Sequence, residues 1–169
     1  ARRSGSAGLS LSDLKDLDAN IQGISARSFL RESPMNVLYD STPVQARVLG
    51  IGGDYLKVNN LVIGQGRELD QKDQDRSAKV AIIGSGIQSK YNLKNPLGEV
   101  LIMGGTPYRV IGVLKDKNVD LKELDASSLK DTNFDVLIPF HTLQARTAHI
   151  DTRSQLDEIH LQLEDENAL

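Results

Sequence analysis

Apolar residues at Leu11, Leu14, Leu17 and Ile21 recur every three to four positions, the spacing that lays one stripe along an α-helix. Ser10 or Ser12 can cap its start, Asp13 and Asp16 suit its positive end, and Gly23 is placed to stop it. The stripe is expected to be buried. From Ile24 to Leu30 the pattern is mixed but strand-like, and it ends in the turn-rich ESPMN. STPVQARVLGI then alternates through Val44, Ala46 and Val48, with Gln45 and Arg47 on the opposite face, which predicts one strand. GGDYLKVNN predicts a loop with one helical turn, LVIGQGREL an extended segment entering a glycine turn, and DQKDQDRSA a solvated turn.

In the second half, KVAII reads as a buried strand and GSGIQSKYN as a short helix with Ser85 at its cap. Asn95-Pro96-Leu97-Gly98 is a turn, because proline presets φ and glycine accepts unusual values. EVLIMGGTPYRVIGVL predicts a β-hairpin about Gly104-Gly105-Thr106-Pro107. The polar stretch 115–133 predicts a long loop, FDVLIPF a strand ended by Pro139, HTLQARTA a helix and EIHLQLE a strand. DENAL resembles the first turn of a further helix, and ARRSGSAG a flexible lead-in over residues 1–8.

Composition narrows the classes. The 169 residues are 39% hydrophobic and 25% charged, the profile of a globular domain able to bury a core. Aromatics make up 4% with no Trp, so aliphatic side chains must fill it. A net charge of -3 offers no basic field for phosphate backbones, which excludes nucleic acid as a partner. The absence of Cys removes disulfides, thiol nucleophiles and cysteine zinc sites. No apolar run approaches the ~20 residues of a membrane-spanning helix, so any membrane anchor is expected outside this stretch.

Each chemical motif has a blander reading. VAIIGSGIQS places Gly84 and Gly86 between a strand and a helix, as dinucleotide sites do. Ser89 holds the third glycine position, and a hairpin rather than a second βαβ unit follows, so a tight turn is the better reading. His141, His149 and His160 match no metal spacing. Asp70, Asp73 and Asp75 suggest a calcium loop, but its sixth position would be Asp75 instead of Gly and its twelfth Ala81 instead of Glu. No catalytic, cofactor-binding or metal residue is assigned.

The ordered series does carry a resemblance. Gly50-Ile51 before a Tyr55-containing turn, Gly66-Arg67, Asp73, the VAIIG strand with Gly84, the Pro96-Leu97-Gly98 turn, Val110-Ile111-Gly112-Val113 and Ile138-Pro139 follow one another in spacing as well as order. Together they resemble the periplasmic core domain of MacB-type (FtsX-like) ABC transporter permeases. The resemblance implies an α+β fold in two parts. One is a porter-like mixed subdomain over 9–45 and 136–169, the other a β-rich, Sabre-like subdomain over 46–135. It makes Gly66, Arg67, Asp73, Gly84, Pro96, Gly98, Gly112 and Pro139 structural motif residues. It also implies a non-catalytic domain outside the cytoplasmic membrane, held between two membrane helices. Such a domain works with a second permease copy, a separate cytoplasmic ATPase domain, a MacA-like adaptor (membrane fusion) protein and an outer-membrane channel. The length and polarity of the stretch 115–133 make it one candidate for the adaptor contact. Lipoprotein-releasing relatives share the domain and form the alternative reading, with a nucleotide-binding enzyme through Gly84 and Gly86 behind it. Relative to the family pattern, an opening strand is expected to be missing and a closing helix and strand to be cut near Asp165.

Overall fold

A computed structural model describes residues 9–116, 132–146 and 156–163. The lead-in, most of the 115–133 stretch, His149 and DENAL lie outside the described residues. Along the chain come α1 (Leu11–Asn20), β1 (Ile24–Ser33), β2 (Val37–Tyr39), β3 (Thr42–Val44), β4 (Arg47–Gly53), α2 (Tyr55–Val58) and β5 (Ile63–Gly66). They are followed by α3 (Gln71–Asp75), β6 (Val80–Ile83), α4 (Ser85–Lys90), β7 (Val100–Met103), β8 (Thr106–Leu114), β9 (Asp135–Pro139), α5 (Phe140–Arg146) and β10 (Glu158–Leu163).

The strands join in one mixed sheet, in the order β10-β1-β4-β9-β6-β8-β7-β2-β3, with β5 also on β8. β9 is the hinge of this order, parallel to β4 and antiparallel to β6. All five of its residues are buried, which is why FDVLIPF reads as an apolar run and not as an alternation. Side chains on the two faces form two cores. Val48, Ala81, Ile83, Tyr108, Val136 and Ile138 belong to one, and Leu49, Ile82, Leu114 and Leu137 to the other. Neighbours along the strands thus face opposite layers, as strand geometry requires. The fold is α+β.

Several local expectations change. Ser10 does cap α1, accepting from the Asp13 amide while Asp13 Oδ2 accepts from the Ser10 amide at 2.8 Å. Yet no residue of α1 is buried: its leucine stripe is only half-covered, because the helix packs little against the other described elements. The single strand expected over 41–51 breaks at Gln45-Ala46, because its two halves serve different neighbours. Val44 pairs with Val37 at the sheet's rim, whereas Arg47 pairs with Asp135 at its centre. DQKDQDRSA contains the helix α3, and Asp73 within it is buried. The cap of α4 is Gly84, not Ser85, and it makes no side-chain cap bond. The hairpin turn holds as expected, with Gly104 and Gly105 at φ 57° and 80°, the conformation that two-residue hairpin loops demand.

Candidate functional site

Of the residues expected to form the motif, Gly66, Arg67, Asp73 and Gly112 come together where β5 leaves β8. Gly66 adopts φ 79°, and a Cβ there would strike the Ile111 carbonyl and come within 2.9 Å of Gly112 Cα. Conversely, a Cβ on Gly112 would sit 2.6 Å from the Arg67 carbonyl oxygen. Two glycines are therefore needed for the strands to close, and the Arg67 amide then donates to the Ile111 carbonyl at 3.1 Å. This fixes the direction in which Arg67 leaves the sheet. Its Nη1 donates to Asp73 Oδ2 at 2.8 Å and its Nη2 to Oδ1 at 3.2 Å, a bidentate fork.

Asp73 closes a second loop as well. Its Oδ2 accepts from the Asp70 amide at 2.8 Å, while Asp70 Oδ1 accepts from the Asp73 amide at 2.9 Å, a reciprocal cap on α3. The hydrogen bond from Arg67 holds the Asp73 carboxyl below its ordinary range and outweighs burial, which pushes the other way. Both carboxylate oxygens are thus engaged, so the pair locks a corner and presents no free acid or base for chemistry.

The second motif cluster is the turn between β6 and α4. A Cβ on Gly84 would run into Asn133 backbone and lie 2.6 Å from the Thr132 carbonyl oxygen. One on Gly86 would lie 2.8 Å from the Asn133 carbonyl oxygen and 2.9 Å from the Phe134 ring. The space in which a pyrophosphate would rest is filled by residues 132–134, so these glycines admit a neighbouring backbone. Pro96 is buried, and Gly98 at φ 92° donates to the Val110 carbonyl at 2.8 Å. Pro139 ends β9 opposite Ile51.

The remaining candidates scatter. The His141 amide donates to Gln74 Oε1 at 3.1 Å, and the His160 ring meets Glu158 at 2.8 Å. Among the described residues no group of three His, Cys, Asp or Glu converges as metal ligands would.

Two features escape sequence reading. Arg47 Nε and Nη2 donate to the buried Asp135 at 3.0 and 2.9 Å across the β4–β9 pair. Phe29 fills the space that a side chain on Gly52 would need and meets Phe140 edge-on at 5.3 Å. Partners so distant in the chain leave no local spacing to detect. A cleft of about 720 Å³ opens beside the first pair, lined by Met35, Ala46, Phe134, Arg47 and Lys90 among others. One of about 570 Å³ lies between α2 and α3, over Gly52 and Gly53.

Residues 2–169 match the family described as the MacB-like periplasmic core domain. The chain belongs to that family. The macrolide export ATP-binding/permease protein MacB of Psychrobacter cryohalolentis is 36% identical over 85 residues, which is 49% of this chain and 13% of that protein. The MacB of Aggregatibacter actinomycetemcomitans is 32% identical over 117 residues, covering 64% of this chain and 18% of that protein. The chain therefore spans less than a fifth of these relatives.

Solved structures carry the same fold. The periplasmic region of MacB from Actinobacillus actinomycetemcomitans superposes with a TM-score of 0.73 at 24% identity, over 95% of this chain and 67% of that one. The extracellular domain of the noncanonic ABC-type transporter YknZ from Gram-positive bacteria gives 0.74 at 21%, over 96% and 76%. In this MacB-like domain, Gly66, Gly84 and Gly112 each let one backbone segment seat against another.

Proposed function

We propose that this domain is the extracytoplasmic part of an ABC transporter permease, without chemistry of its own, and that it couples ATP hydrolysis on a separate cytoplasmic domain to export by mechanical motion. Membership of the family over residues 2–169 carries this reading. The geometry agrees with it, because the charged pairs at Arg67–Asp73 and Arg47–Asp135 are spent on rigidity and not on a reacting centre. In this reading the parent is an inner-membrane protein. Its partners are a second permease copy, the ATPase domain, a MacA-like adaptor and an outer-membrane channel. The porter-like part comprises 9–45 with 136–169 and the Sabre-like part 46–135, and Gly66, Arg67, Asp73, Gly84, Pro96, Gly98, Gly112 and Pro139 form the structural motif of the whole domain.

The coding sequence on either side of the domain tests the proposal. A permease requires an apolar span of ~20 residues on each flank. If neither flank carries one, the reading fails. A nucleotide-dependent enzyme would instead show a raised thermal midpoint with NAD or ATP, since a ligand that binds only the folded state stabilises it by mass action.

A further inference from the structure

The rim of the sheet carries an apolar face on the side opposite the first core. Directly paired residues of adjacent strands project to the same side. Pro43 pairs with Leu38, Leu38 with Ile102, and Ile102 with Pro107, so one row of four apolar side chains crosses β3, β2, β7 and β8. Their alternates Val44, Val37, Met103 and Tyr108 are buried in the core on the opposite side. The next row runs Val100–Arg109–Val80. Val100 is 41% exposed and the nearby Leu97 45%. Pro43, Pro107 and Arg109 are exposed, and Leu38 and Ile102 half-buried. A contiguous row of apolar side chains on an open sheet face is a candidate interaction surface.

The charge on the face indicates what fits it. Arg109 is exposed, makes no side-chain hydrogen bond or ion pair with the described residues, and sits between two valines. Glu99, next to Val100 in the chain, is turned away, accepting from the Tyr39 hydroxyl at 3.1 Å. Neither row holds an acid, so a second copy laid with these rows on the first would offer Arg109 no carboxylate. Docking by strand addition at the rim is blocked too, because Pro43 in β3 has no N–H to donate. We infer that this face docks a partner protein face-on, through an apolar segment that carries a carboxylate opposite Arg109. The argument rests on the sheet alone and stands whether or not the domain takes part in export.

Two synthetic probes test it: an apolar pentapeptide with a central aspartate, and the same peptide with lysine in its place. In NMR titrations of the 169-residue chain, the aspartate peptide should give saturable methyl shifts at Leu38, Val100 and Ile102. The lysine peptide should bind roughly tenfold or more weakly, the factor expected from ~1.4 kcal/mol of charge preference. Arg109→Glu, an exposed change that leaves the core untouched, should reverse the preference. Equal response to both peptides, an unreversed preference in Arg109→Glu, or shifts elsewhere would overturn the inference. So would concentration-dependent dimerisation through this face in sedimentation, or binding to anionic phospholipid vesicles that Arg109→Glu abolishes.

Discussion

Asp73 sits within a sequence stretch with every outward sign of a solvated turn, yet it is 6% exposed. What draws it inward is the guanidinium of Arg67, delivered by a glycine that alone tolerates the approach of β5 to β8. Its folded-state pKa is depressed by that hydrogen bond, so the stabilisation is present at neutral pH and is lost as pH falls through the lowered value. Asp73→Asn is expected to cost about 1.5–3 kcal/mol at neutral pH, the worth of hydrogen bonds to a charged group. It should also flatten the acid limb of the stability profile. Urea unfolding of both proteins across the acid range measures the two effects together; identical acid limbs would show that the corner does not carry the acid dependence. Tyr55, pushed up to about 12 chiefly by burial, has no such role at neutral pH.

At the scale of elements, the β6–α4 unit shows how a motif can mislead. A strand, a glycine pair and a helix are read as a phosphate cradle from sequence, because nothing local reports that residues 132–134 will come to rest on those glycines. The packing makes a specific demand. Gly84→Ala should destabilise the fold by about 1–3 kcal/mol, as overpacking does, because the obstacle is backbone and cannot swing aside. Gly98→Ala offers a contrast, since a Cβ there meets nothing within 4 Å and only its φ of 92° opposes the change. Chemical denaturation of the two variants separates steric crowding from backbone strain; a Gly84→Ala protein as stable as the parent would mean that the 132–134 segment yields. The helix α1 and the hairpin β7–β8 were legible because their signals, a capping box and a Gly-Gly loop, act within a few residues.

For the whole molecule the decisive element is β9. It lies between β4 and β6 and so ties strands from the first third of the chain to those from the middle. Leu137 is fully buried there and belongs to the core shared with Leu49 and Ile82. Leu137→Ala should cost about 2–5 kcal/mol, the usual range for such truncation. Because one sheet runs through both proposed subdomains, unfolding followed by far-ultraviolet circular dichroism and by tyrosine fluorescence should give coincident transitions. Two separated transitions would show instead that the porter-like and Sabre-like parts unfold independently.

By itself the sequence determined the α+β class, the hairpin, the buried strands about Ile82 and Leu137, and the resemblance that family membership upholds. These features follow from period, turn residues and the order of short motifs, all written in neighbouring positions. Only the tertiary structure decided that the strand expected over 41–51 divides at Gln45, that the leucines of α1 stay half-covered, and that Asp73 and Asp135 are buried ion-pair partners. The same holds for the apolar row from Pro43 to Pro107, which exists only because β3, β2, β7 and β8 lie side by side in that register. Burial and pairing are properties of what arrives from elsewhere in the chain, and local spacing carries no record of it.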